Sequence, residues 1–202
     1  MTRLLLTVLL VVFCCSMQAA DDDLFKKVKI TITFLNAPNN RPAGLPSTSI
    51  TQYNKWAMIQ ADFYPKLDNL KDAWIDSPVM AVTVAIKSDN PNSGILLTGK
   101  TVFQTIRMDG KKHIAVMFVP GKILDRYLPA SVNTINSSYV EAKVEFTDRA
   151  NKVIGGGFSG SEKKYDDLAG QNPKIIENIV LPLNKSPWGY GGTDDFDLIK
   201  EF

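Results

Sequence analysis

Cysteine is almost missing from this 202-residue sequence: only Cys14 and Cys15 occur, side by side near the start. If the leader that contains them is removed, no disulfide is available and the core alone must hold the fold. Histidine occurs once, at His113, so any Ser/His/Asp arrangement has a single candidate base. Neither sign of charge is in excess. There are 23 Lys plus Arg against 21 Asp plus Glu, and Arg3 leaves with the leader, so the mature chain is close to neutral. That balance implies neither nucleic acid nor an anionic membrane as a partner. Long apolar runs are lacking too, since no stretch after the leader approaches the roughly 18 residues a spanning helix needs.

The leader has the three parts of a secretory signal. Arg3 is followed by an apolar run from Leu4 to Cys15, broken only by Thr7, and then by Ser16, Met17, Gln18, Ala19 and Ala20 before Asp21, Asp22 and Asp23. Residues 1–20 are assigned to a signal peptide, 21–183 to one β domain and 184–202 to a tail. A lipoprotein cut before Cys14 or Cys15 fits poorly, because Phe13 stands where a small residue is required. The expected location is exported: periplasmic, outer-membrane-associated or extracellular. The lack of disulfides favours a bacterial envelope over a small eukaryotic secreted module. A mature chain of about 180 residues can bury about 70% of its unfolded surface, enough for one domain without staples.

What is present is period-two alternation. Val28, Ile30, Ile32 and Phe34 alternate with polar residues, and a Pro-, Asn- and Gly-rich stretch from Asn36 to Asn54 comes next. Trp56 to Phe63 reads as a second strand ended by Pro65, and Leu67, Leu70 and Trp74 then recur at helical spacing. Met80 to Ile86 is apolar on both faces, which predicts a central strand. Ile95 to Arg107 reads as one long strand bent at Gly99. Asp109-Gly110 is the strongest local hairpin signal, ahead of a strand from His113 to Val119. Ile123, Leu124, Tyr127 and Leu128 suit a short helix. In Tyr139 to Thr147, Val140, Ala142, Val144 and Phe146 face in while Glu141, Lys143 and Glu145 face out. A second hairpin leads into Lys152 to Phe158, residues 159–172 suit a solvated loop or surface helix, and Ile175 to Leu183 supplies a last strand. Seven or eight strands with one or two short helices predict an antiparallel immunoglobulin-like β-sandwich, with a β-barrel as the alternative.

The motifs that carry chemistry fail on inspection. Gly157, Phe158, Ser159, Gly160 and Ser161 lack the last glycine of a nucleophile elbow and its strand-to-helix setting. Gly155, Gly156 and Gly157 lack the Lys and Ser/Thr of a phosphate loop, so they mark a bulge or the close approach of another backbone. Asp21 to Asp23 and Asp194, Asp195 and Asp197 lack EF-hand spacing. No cofactor, metal or catalytic residue is therefore assigned. Trp56 and Trp74 are expected in the core, and Trp188 either pins the tail or meets a partner. The spacing of Phe196, Ile199 and Phe202 suits one face of a helical turn. Trp188, Tyr190, Phe196, Ile199 and Phe202 are the candidate partner-binding residues, together with an open strand edge.

Leu24 to Leu35 directly after the leader, the Trp56 to Pro65 strand and the Ser186 to Phe202 tail together give a layout that resembles secreted β-sandwich proteins associated with bacterial type IV pili. The resemblance implies an assembly or surface-contact role without catalysis; the expected partners are envelope or pilus proteins, with peripheral association with the outer membrane. Three function classes stay open: a non-catalytic binding or assembly domain, a carbohydrate-binding module, and a secreted hydrolase using paired carboxylates.

Overall fold

Each alternating segment forms a strand in the computed structural model, which describes residues 23–37, 55–66, 73–88, 93–128 and 138–189. In chain order the elements are β1 (Phe25–Asn36), β2 (Lys55–Pro65), β3 (Trp74–Asp76), β4 (Val79–Ile86), β5 (Ile95–Val102), β6 (Thr105–Arg107) and β7 (His113–Val119). Next come α1 (Gly121–Tyr127), β8 (Val140–Thr147), β9 (Val153–Phe158), α2 (Glu162–Ala169), β10 (Lys174–Ile176), β11 (Leu181–Pro182) and a 3-10 turn, Leu183–Lys185.

Two sheets result, in the orders β1-β2-β7-β11 and β10-β5-β4-β8-β9, with a separate β3-β6 ribbon. Pairing is antiparallel throughout except that β10 lies parallel to β5. Among the long strands, β1, β2 and β7 face β5, β4, β8 and β9. That is the A-B-E against C′-C-F-G order of an immunoglobulin-like sandwich. Among the described residues neither sheet closes on itself, so the fold is the sandwich and not the barrel.

The core lies between the sheets because period two sends one set of side chains inward from each. Ala57, Ile59, Ala61 and Phe63 of β2 and Ala115, Met117 and Val119 of β7 meet Met80, Val82 and Val84 of β4 and Val140, Ala142, Val144 and Phe146 of β8. β4 is central, as its two apolar faces predict. Phe25, Phe63 and Phe146 pack with ring centroids 4.5 to 5.1 Å apart. Each such buried side chain contributes about 1.5 to 3 kcal/mol.

Four local expectations are corrected. The break between β5 and β6 falls at Phe103–Gln104, where Phe103 turns into the core and its N–H donates to the Pro78 carbonyl. Gly99 is instead a crossing point: a Cβ there would lie 2.0 Å from the Val180 carbonyl oxygen. Asp109-Gly110 does form a turn, with φ of 69° at Gly110 and the Asp109 carboxylate accepting from the Lys111 N–H. It makes no hairpin, because β6 pairs with β3 while β7 pairs with β2. Trp74 begins β3 rather than ending a helix, and it is 55% exposed rather than in the core; residues 67–72 lie outside the described residues. The Ile175 to Leu183 segment divides into β10 and β11, which join different sheets.

Candidate functional site

Alternation along β8 points Glu141, Lys143 and Glu145 away from the core. Lys143 and Glu145 obey, pairing with each other on the surface. Glu141 does not: it is only 2% exposed, because the chain after β9 folds back over this end of β8. One carboxylate oxygen of Glu141 accepts from the Ser159 hydroxyl and the other pairs with the Lys164 ammonium. The same hydroxyl accepts from the Ala142 N–H at 2.9 Å, and the Ser159 N–H donates to the Ala142 carbonyl at 2.9 Å. Gly160 is required beside them, since a Cβ there would stand 2.8 and 2.9 Å from the two carboxylate oxygens. Ser161 then caps α2 by accepting from the Lys164 N–H. The cluster satisfies a buried charge with a cation and a hydroxyl, which is what such a charge requires.

The Ser159 hydroxyl therefore donates its hydrogen bond to a carboxylate rather than to a histidine. His113 is held elsewhere, stacked on Phe63 at 5.6 Å with Nε2 3.3 Å from an Asp109 oxygen. The Ser159–Ser161 segment thus latches the start of α2 to β8.

The latch borders a cleft of about 330 Å³ lined by Lys29, Ile30, Thr31 and Ile32 of β1 and by Glu141 and Ser159. The first of the three consecutive glycines of β9 explains why β1 can lie so close here. A Cβ on Gly155 would fall 2.7 Å from that of Phe25, and one on Gly157 would fall 3.5 Å from the Val28 carbonyl oxygen and 3.8 Å from the Ile30 side chain. A bulkier residue at 155 would push the strands apart, so Gly155 does admit another backbone. A register shift opposite them, between Phe146 and Thr147, adds the bulge. β9 thus runs along β1 to about Ile30 and ends at Phe158, while β1 continues to Asn36. Among the described residues no strand pairs with the outer edge of β1.

The second candidate region is the outer face of the four-stranded sheet. A sandwich face turned to water should be polar, yet this one carries Trp56 and Met58 of β2 and Ile114, Val116 and Phe118 of β7. Residues 183–189 lie over it. Ser186 is buried, its hydroxyl donating to the Leu183 carbonyl at 2.7 Å, and the tight turn lays Trp188 flat on Phe118 at 4.9 Å and edge-on to Trp56 at 5.7 Å. Trp188, Trp56, Met58 and Ile114 remain half-buried. Tyr190, Phe196, Ile199 and Phe202 lie outside the described residues, as do the Asn36 to Asn54 loop beyond Ala37 and the acidic group at 194–197. The layered aromatic face was missed in the sequence because Trp56 and Met58 sit in one strand with Ile59, Ala61 and Phe63, which makes the run look simply apolar.

The far end of that face is polar. Asp62 accepts from Gln60 and pairs with Lys112, both at 2.7 Å. Burial pushes the Asp62 carboxyl up, but the hydrogen bonds from Lys112 and Gln60 and the charges of Lys112 and Lys29 outweigh it and hold it below the usual range. Asp109 behaves alike: burial is outweighed by the Lys111 N–H and by His113.

No protein-family profile matches this chain, nor does any curated protein. Among solved structures it is similar to a crystal structure from Akkermansia muciniphila, with a TM-score of 0.63 over 87% of this chain and 95% of that one. The sequences are 16% identical, so the likeness is one of fold. No helix among the described residues is long and apolar enough to cross a membrane.

Proposed function

We propose that this chain is an exported, non-catalytic binding or assembly domain of a bacterial cell envelope that works by protein contact. The observation that carries the reading is the half-buried rim of Trp56, Met58, Ile114 and Trp188 around the covered Phe118, on the side of the sheet where a free-standing sandwich places polar residues. Aromatic rings held rigid by mutual stacking make contact area at low entropic cost, which is how interface anchors are built. The resemblance of its layout to secreted proteins of type IV pili supports a pilus component as the partner.

A photo-crosslinking residue placed at Met58, on the half-buried rim of this face, tests the proposal in intact cells. Mass spectrometry of the adducts is expected to return envelope or pilus proteins. Recovery of the chain free of adducts overturns the reading.

A carbohydrate-binding role has one observation in its favour. Trp74 is exposed, with the Arg107 guanidinium 5.9 Å from its ring centre, and such a pair offers an apolar platform beside a hydrogen-bond donor. A glycan array in which Trp74→Ala abolishes binding would establish it.

A further inference from the structure

We propose that the outer edge of β1, from Lys29 to Asn36, receives an extended acidic segment of a partner protein, which continues the line of β9 as an added strand. The inference rests on the protein-contact reading and specifies its chemistry at a second surface, the strand edge rather than the sheet face that carries Trp188.

The backbone supplies the attraction. From Lys29 to Asn36, β1 pairs residue by residue with β2, Lys29 opposite Asp62 and Asn36 opposite Lys55. Pairing on one side uses alternate N–H and C=O groups, and the remainder point to the other edge. β9 runs beside that edge as far as Gly157, opposite Val28 and Ile30, and then leaves it at Ser159. The departure is built in. The Glu141 carboxylate, held by Ser159 and Lys164 and packed against Gly160, fixes the turn away from β1. Beyond that turn lies the 330 Å³ cleft, bounded by β1 on one side and by Glu141 and Ser159 on the other. An incoming strand thus finds an edge to pair with and a recess for its alternate side chains.

Charge selects the strand. Lys29 is exposed within this edge, and Lys26 and Lys27 are exposed just ahead of it on β1. Asp62, opposite Lys29, already carries Lys112 at 2.7 Å, and Glu141 already carries Lys164, so Lys29 leaves the edge net cationic. Lysines on an open edge repel another cationic edge, which disfavours a second copy of this chain. They favour a segment in which acidic residues alternate with β-branched ones.

The test uses the full mature chain and two blocked eight-residue peptides, one alternating valine with threonine and glutamate, the other with lysine in place of glutamate. Amide hydrogen exchange is read residue by residue. The acidic peptide is expected to slow exchange at alternate amides between Thr31 and Leu35 by about tenfold or more, and the lysine peptide to leave them unchanged. Lys29→Glu should reverse the preference. Thr31→Glu, on the same edge, should weaken the acidic peptide and serves as the second variant should the first fail to fold. Unchanged β1 exchange with the acidic peptide overturns the proposal, as does protection that grows with protein concentration alone, which would mean self-pairing. Adducts at Met58 without β1 protection sink the strand-addition site and leave the assembly reading intact. Protection by the acidic peptide with no envelope adduct supports the site and sinks that reading.

Discussion

Gly155 lies so close to Phe25 that a Cβ at position 155 would sit 2.7 Å from the Phe25 Cβ and 2.9 Å from its carbonyl oxygen. Both atoms belong to a strand fixed in the core, so neither can give way cheaply. Gly155→Ala is expected to lower stability by about 1 to 3 kcal/mol, the range for overpacking. Gly157→Ala, whose Cβ would meet the Val28 carbonyl at an ordinary 3.5 Å, should cost less. Urea denaturation of the two variants decides the matter. A costlier change at 157 would refute this account of the glycine run.

The Glu141 latch makes a second prediction. Lys164→Met strands a carboxylate that is buried in β8, and the expected loss of about 2 to 4 kcal/mol lies near the cost of breaking a buried pair. The paired change Glu141→Leu with Lys164→Met removes the stranded charge and should recover much of that loss. A double-mutant cycle measures the coupling, and additive effects would show that the two side chains do not act together.

Acid stability depends on Asp62 and Asp109. Both carboxyls lie below their ordinary value when folded, so folding favours their ionised forms. The stabilisation is complete above the unfolded value of about 4 and is lost as pH falls through the lower folded values, where the unfolded chain binds more protons. Asp62→Asn and Asp109→Asn should each flatten the fall in stability below about pH 4. Thermal melts from pH 6 to pH 2 would reveal it, and an unaltered slope in both variants would refute the assignment.

Trp188 bears on both fold and function. Replacing it with alanine removes the stack on Phe118 and the edge contact with Trp56, for an expected loss of about 2 kcal/mol, while Trp188→Phe should keep most of it. Partner capture should fall with Trp188→Ala even where calorimetry shows the domain folded. Deletion of residues 187–202 should act in the same direction. Undiminished capture would move the contact elsewhere.

The β-sandwich was legible because alternation is a local property: Val82 and Val84, or Val144 and Phe146, declare their inward face without knowing what they meet. The crossing points were not. Gly99 reads as a bend within its own strand, whereas its smallness answers to Val180, far along the chain. Trp74 reads as core by its apolar character, and only the pairing of β3 with β6 places it on the surface. Glu141 alternates with inward residues and so reads as exposed; the cover over it comes from Ser159 and Lys164, which no pattern in β8 announces. The glycine run at 155–157 was the informative exception, since three residues without side chains in a strand call for a neighbour at close range. Of the candidate partner-binding residues, Trp188 alone lies within the described chain. Its place above Phe118 depends on the tight turn at Ser186, which the flanking prolines and glycines hint at without fixing its direction.

The passage from β10 to β11 has a consequence for the order of folding. Lys174 pairs with Ile95 in one sheet and Leu181 with Phe118 in the other, and between them the N–H groups of Ile179 and Val180 both donate to the Thr98 carbonyl. This short strap ties the two sheets together along one side, and it is made from late residues of the domain, synthesised after every long strand. Until it arrives, β5 and β7 present unpaired edges, the kind of surface on which incomplete chains associate. The strap is therefore expected to be what seals these edges. Chains truncated before Lys174 should accumulate as associating intermediates, while those that extend past Leu183 can seal themselves.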